Sequence, residues 1–201
     1  MPEPAGHYFD ADPGVPSRPA TVRLDLPDRS LTLTTDRGVF SADRVDAGTK
    51  YLLLEAPAPP STGTFVDVGC GYGPIACTLA LRAPAATVLA IDVNQRAVGL
   101  CRANAEATGA ANVRACLPSE VADDVTVDLL WSNPPIRIGK AALHALLEGW
   151  LHRLTPTGTA VLVVQKHLGA DSLQRWLAAQ GFPAERLGSR AGYRLLEARR
   201  R

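Results

Sequence analysis

From Thr64 onward the sequence alternates short apolar, β-branched runs with stretches of helical period, and this alternation limits the possible folds more than any other feature. The runs are Thr64 to Val68, Thr87 to Ile91, Asn112 to Cys116, Val127 to Trp131 and Thr159 to Val164. Nearly unbroken apolar strands separated by helices predict a parallel sheet covered on both faces. Pro74 opens one helix at the position where its missing N–H costs nothing, and Asn94 caps a second that stops at Gly109. A third carries Leu143, Leu146, Leu147, Trp150, Leu151 and Leu154 on one face, and a fourth runs from about Asp171 to Gly181. The tail runs Glu185 to Leu187 and Tyr193 to Ala198 add antiparallel edge strands. The expected class is α/β, with a doubly wound, mostly parallel seven-stranded sheet.

Ahead of this core, residues 1 to 20 carry five prolines and read as an irregular arm, with Tyr8 and Phe9 as its anchors to the body. Thr21 to Leu26 and Leu31 to Thr35 alternate apolar with polar residues around Pro27-Asp28-Arg29-Ser30, which predicts a β-hairpin. Pro57, Pro59 and Pro60 then mark a boundary. Residues 1–56 are expected to form an arm and hairpin extension packed on a core of residues 57–201, together one compact domain, as suits 201 residues.

Apolar residues make up 46% and charged residues 20%, a balance that excludes a disordered chain. No uncharged run approaches the ~18 residues a membrane helix needs. The start, Met1-Pro2-Glu3-Pro4, has neither the basic patch nor the apolar stretch of a signal peptide, so a cytoplasmic location is expected. Cys70, Cys77, Cys101 and Cys116 match no zinc spacing and read as reduced core thiols, and the four histidines are scattered, so no metal is expected. Net charge is only +1, but the basic residues are lopsided: 18 arginines and three lysines, Lys50, Lys140 and Lys166, all beside the segments considered next.

Two motifs carry chemistry. Asp67-Val68-Gly69-Cys70-Gly71-Tyr72-Gly73-Pro74 joins the first long strand to its helix. Glycines there allow positive φ and close approach of a ligand, and the helix N-terminus offers N–H groups, so the loop reads as a cofactor cradle. Its spacing is Gly-x-Gly-x-Gly, whereas dinucleotide binders use Gly-x-Gly-x-x-Gly. Asp92, at the end of the next strand, is placed to accept ribose hydroxyls from NAD or from an adenosine without phosphate. The second motif, Asn133-Pro134-Pro135-Ile136, lies at the carboxyl end of another strand, where open parallel sheets bind ligands. A residue before proline is held extended. The Asn133 side-chain oxygen and the Pro134 carbonyl thus form a pair of acceptors for one planar –NH₂ group. Held by two acceptors, such a nitrogen can direct its lone pair at an electrophilic methyl.

With Gly38-Val39-Phe40-Ser41, Val45 to Lys50, Asp92-Val93-Asn94, Arg137 to Lys140 and Gln165-Lys166, these motifs resemble the class I S-adenosylmethionine (SAM) methyltransferases. The similarity, over about residues 20 to 198, is to the small-domain type of the bacterial small-subunit rRNA guanine-N2 methyltransferases. The resemblance implies SAM as cofactor, without metal. Asp67, Gly69, Cys70, Gly71 and Gly73 would cradle its methionine part and Asp92 and Val93 its ribose side, with Thr49 and Asn133 also at the cofactor. Either Ser119 or Glu120 would read the adenine. Asn133, Pro134, Pro135 and Ile136 would form the catalytic loop, with Ile136 where many relatives carry a base-stacking aromatic. Arg137, Lys140 and Lys166 would contact an RNA substrate through phosphate, as compact or forked cations do.

The leading expectation is methyl transfer to an exocyclic amine of an RNA nucleobase, guanine N2 first, in ribosomal RNA. A glutamine-N5 protein methyltransferase is the nearest rival, though those relatives usually carry Tyr after Asn-Pro-Pro. A non-catalytic SAM-binding module docking on RNA or a partner has no use for an amine clamp, and an NAD oxidoreductase has the wrong glycine spacing.

Overall fold

The computed structural model describes residues 11–12 and 14–201, so Tyr8 and Phe9 lie outside the described residues. Strands β1 (Ala20–Leu26) and β2 (Arg29–Thr35) pair antiparallel with Leu26 opposite Arg29. Only Pro27-Asp28 is left as the turn, half the length expected, because Arg29 and Ser30 join the ladder. The Arg82 guanidinium grips Asp28 with two hydrogen bonds of 2.9 and 3.0 Å and donates a third, 2.9 Å, to the Leu53 carbonyl, which fixes the hairpin turn to the body.

Helix α1 (Ala47–Glu55) follows, an element the sequence reading did not anticipate. Asp46 caps it by accepting from the amides of Gly48 and Thr49 at 2.8 and 3.1 Å. Gly48 is demanded by packing, since a Cβ there would lie 2.5 Å from the Tyr193 ring.

The remaining strands are β3 (Thr64–Val68), β4 (Thr87–Ile91), β5 (Val113–Cys116), β6 (Val127–Ser132), β7 (Leu154–Gln165), β8 (Ala184–Arg190) and β9 (Tyr193–Arg199). They form one seven-stranded sheet in the order β5-β4-β3-β6-β7-β9-β8, parallel from β5 to β7, with β9 antiparallel to both neighbours. The doubly wound, mostly parallel α/β class is thus correct. The helices α2 (Pro74–Arg82), α3 (Gln95–Thr108), α4 (Lys140–Leu151) and α5 (Ala170–Ala179) cover it. Leu154, expected on the third helix, instead begins β7 opposite Val127, with a register shift before Leu129. The chain turns at His152 and Arg153, and β7 is therefore twice the length anticipated.

Alternation along the strands sorts the core into two layers. Phe65, Leu129, Trp131, Val161 and Val163 face the hairpin, α1, α2 and α3. Val66, Val68, Leu130, Leu162 and Val164 face α4 and α5. The four thiols are free; Cys70, Cys77 and Cys101 are buried in the first layer. Sheet order reverses between β3 and β6, so the glycine loop after β3 and the proline loop after β6 emerge side by side.

Candidate functional site

A cleft opens at these carboxyl ends, its empty space, mouth included, about 940 Å³. Its walls include Gly69, Gly71, Asp92, Val93, Asn133, Pro134, Pro135, Ile136 and Arg137. The two loops are locked together: the Ser132 hydroxyl donates to the Val68 carbonyl at 2.6 Å, and a Cβ on Gly69 would lie 3.7 Å from Pro135 Cδ.

The glycine loop is not the anion cradle its free amides would make. Gly69 and Cys70 donate to the Ile91 carbonyl at 2.8 and 3.0 Å, Gly73 donates to the Cys70 carbonyl, and Gly71 donates to Asp92 Oδ2 at 2.9 Å. With these four amides spent inside the protein, the loop offers no open set of N–H donors for a pyrophosphate. Gly73 has a packing role: at φ +93° a Cβ would sit 2.7 Å from Cys101 Sγ, so the glycine lets α2 start against α3.

Two acids stand behind and beside the loop. Asp67 is fully buried; Oδ2 accepts from the Ala76 amide at 3.0 Å, while Oδ1 has no partner among the described residues. Burial, with a smaller contribution from the charge of Asp92, pushes its carboxyl up to about 8 against the Ala76 hydrogen bond. Asp92 is raised as well by burial, although the amides of Asn94 and Gly71 counter it. Of the two, only Asp92 lines the cleft, where a carboxyl raised by burial favours a positively charged or hydrogen-donating occupant; Asp67 stays behind the loop. Between pH ~4 and ~8 the folded protein keeps a proton on Asp67 that the unfolded chain has lost, so this group's effect is to lower stability as pH rises, by up to about 1.4 kcal/mol per unit. Asp67→Asn retains an acceptor for Ala76 and is expected to flatten the decline, seen as a denaturant midpoint that gains on the parent at pH 8 and not at pH 4.

Asn133 is held from outside its own loop. Its amide nitrogen donates to Asp46 Oδ2 at 2.8 Å and to Thr49 Oγ1 at 3.0 Å. Both amide hydrogens are thereby used, so Oδ1 is the atom left to accept. The Pro134 carbonyl, expected to be free, already accepts from the Ile136 amide at 2.8 Å and offers only its second lone pair. The sequence reading missed Asp46 as a site residue, together with Val39, Phe40, Gln165 and Tyr193, which all line the cleft. Asp46 could have been found as a helix cap, had α1 been recognised. Gln165 and Tyr193 hold each other through a 3.1 Å hydrogen bond across β7 and β9.

The other expected site residues divide. Thr49 and Cys70 line a smaller recess against the same glycine loop, but the Thr49 hydroxyl serves Asn133 and the Cys70 side chain is core. Ser119 is exposed and lines no part of the cleft, and Glu120 folds back to accept from the Leu117 amide at 2.7 Å; Pro118 forms that wall instead. Lys140 lines a neighbouring cavity, and Lys166 is exposed beside the sheet end. Among the described residues no group of three metal-ligating side chains occurs, and no helix is long and apolar enough to cross a membrane.

Comparison with known proteins adds a family and a fold. Residues 30–197 match the model of the methyltransferase small domain. Protein YbxB of Bacillus subtilis (strain 168) is 36% identical over 197 residues, covering 96% of this chain and 98% of its own length. Ribosomal RNA large subunit methyltransferase G of Streptomyces coelicolor is 32% identical over 176 residues, 81% of this chain but 47% of that protein, so the chain spans about half of that relative. Among solved structures, the T. thermophilus 16S rRNA N2 G1207 methyltransferase in complex with AdoMet and guanosine superposes with a TM-score of 0.80 at 24% identity, over 94% of this chain and 52% of that one.

Proposed function

The chain belongs to the methyltransferase small domain family, and from that premise we propose that it transfers a methyl group from SAM to an exocyclic amino group of a nucleobase in ribosomal RNA, with guanine N2 the leading target. The observation that carries the reading is the orientation of Asn133: with its nitrogen tied to Asp46 and Thr49, its oxygen is the acceptor beside the glycine loop. An amine brings two N–H donors and can use both acceptors, whereas a hydroxyl brings one donor and a carbonyl none.

The residues present fit the cofactor. SAM carries a sulfonium and an ammonium, and two acids, Asp46 and Asp92, line the cleft that would receive them. Asp92 is positioned for ribose hydroxyls, Val93, Ile91, Ala97 and Pro118 give apolar walls for an adenine, and the Gly69 to Gly71 backbone is open to the methionine part. When bound, SAM supplies an electrophilic methyl carbon. Asn133 Oδ1 and the remaining lone pair of Pro134 accept the target's N–H hydrogens, and Pro135 and Ile136 stiffen that edge and give it an apolar face. Holding reactants in line accounts for ~7–11 kcal/mol of barrier lowering, so no strong base is required: the nitrogen becomes acidic on methylation and gives its proton to water. Arg137, on the cleft wall, and Lys140 and Lys166, further out, are placed for phosphate.

The relatives' names supply the substrate class: one acts on large-subunit RNA, and the structural neighbour's name gives guanine N2 of small-subunit RNA. Incubation with labelled SAM and rRNA or protein, followed by nucleoside and amino-acid analysis, tests the assignment. Label in N2-methylguanosine is the expected result; label in N5-methylglutamine overturns it in favour of a protein substrate. Calorimetry tests the cofactor separately. SAM is expected to bind and NAD not, and Asp92→Ala to weaken SAM by ~1.5–3 kcal/mol, the scale of charge-assisted hydrogen bonds.

A further inference from the structure

Beyond the cleft, between α4 and α5, lies a second cavity with about 510 Å³ of empty space. It shares two wall residues, Ile136 and Leu168, with the cleft, so the two are adjoining compartments divided by the residue that follows the amine clamp. The rest of its wall is a floor of aliphatic side chains such as Leu173, with Lys140, His144 and Ser172 at the polar side.

Its charge and its ring point to one kind of occupant. Lys140 has no carboxylate at ion-pair distance among the described residues; on the two helices that flank the cavity, Asp171 pairs with Arg194, and Glu148, whose charge reaches His144, lies 4.0 Å from His152. His144 is laid flat on Trp176, ring centroids 4.0 Å apart and planes 19° apart, which fixes the imidazole as a rigid plate in the wall. Burial and the charge of Lys140 lower its pKa from the ordinary histidine value, against the opposing charge of Glu148. An aliphatic floor, an aromatic plate and one ammonium without a carboxylate partner match a nucleobase and the phosphate attached to it.

We propose that this cavity is a second nucleotide subsite, which takes the neighbour of the target nucleotide in the same single strand. It rests on the assignment of the cleft to a target base: Ile136 then stands between two successive bases, and Lys140 holds phosphate of the neighbour. A stacking contact with one extra base strengthens binding by roughly ten- to a hundredfold.

The test compares guanosine with the dinucleotides GpN and NpG, each a mixture in the second base, in two readouts on the full chain. One is kcat/KM for methyl transfer. The other is the NMR signal of the His144 ring protons, resolvable among only four histidines, recorded with the demethylated cofactor present. Expected are a dinucleotide preference of at least tenfold and a His144 shift with dinucleotide that guanosine does not produce. Ser172→Phe, which fills the cavity, and Lys140→Ala should each bring the dinucleotide-to-guanosine ratio close to one. A His144 shift that Lys140→Ala weakens, with no methyl transfer to any nucleotide, would leave the subsite standing and remove the methylation reading. Equal behaviour of guanosine and dinucleotides in both readouts overturns the subsite, as does a dinucleotide preference that survives both substitutions.

Discussion

Asn133→Ala is expected to lower methyl transfer by on the order of 10²–10³ while SAM affinity and folding stay close to the parent's, because this amide oxygen is a preorganised acceptor at the reacting nitrogen. The fold should tolerate the loss. Asn133 is half-buried at a loop, and its two partners keep other bonds: Asp46 still accepts from the amides of Gly48 and Thr49 at 2.8 and 3.1 Å. About 1 kcal/mol of stability is the scale for removing such a contact. The separation is read by kcat with labelled SAM, calorimetry for the cofactor and a denaturant midpoint for the fold. Transfer at the parent rate would end the amine-clamp account. If parent and variant both bind SAM and neither methylates any RNA or protein, the chain is a binding module.

The elements legible in sequence were those with a local cause. Five parallel strands showed as apolar runs because both their faces are covered, and Asn94 and Gly109 bounded α3 through cap chemistry that acts within a few residues. Helix α1 was hidden because Gly48 and Thr49 are poor helix formers, and Gly48 is there for the Tyr193 ring, 145 positions away in sequence. Leu154 fitted the α4 period by arithmetic, but two residues of turn put it on β7. The site divides in the same way. The glycine and proline loops announced themselves, yet the loop amides turn inward to Ile91 and Asp92 at the end of the neighbouring strand, and Asp46 and Thr49 orient Asn133 by pairings across more than 80 residues. Ser119 and Glu120 were indistinguishable in sequence since both follow β5; in the structure Ser119 is exposed and Glu120 accepts from the Leu117 amide, so neither lines the wall.

That cross-chain hold makes Asn133→Asp a more severe change than its shape suggests. The new carboxylate would replace an N–H donor 2.8 Å from Asp46 Oδ2, and two like charges at about 4 Å cost on the order of 4 kcal/mol at a part-buried site. The acceptor for the target amine is then present but pushed out of line, and transfer should fall at least 10²-fold at neutral pH. Protonating one of the pair relieves the repulsion, and coupling raises the pKa at which that happens, so the variant's residual activity should climb as pH is lowered. Asp46→Asn alone keeps an oxygen for Gly48, Thr49 and Asn133 and should cost only about tenfold. The double exchange, Asn133→Asp with Asp46→Asn, restores one donor facing one carboxylate with their places reversed. It is expected to recover at least tenfold over Asn133→Asp and to lose the acid-side climb in rate. A merely structural role for Asp46 would make the two losses multiply; recovery in kcat, at unchanged SAM affinity, ties Asp46 to the orientation of residue 133.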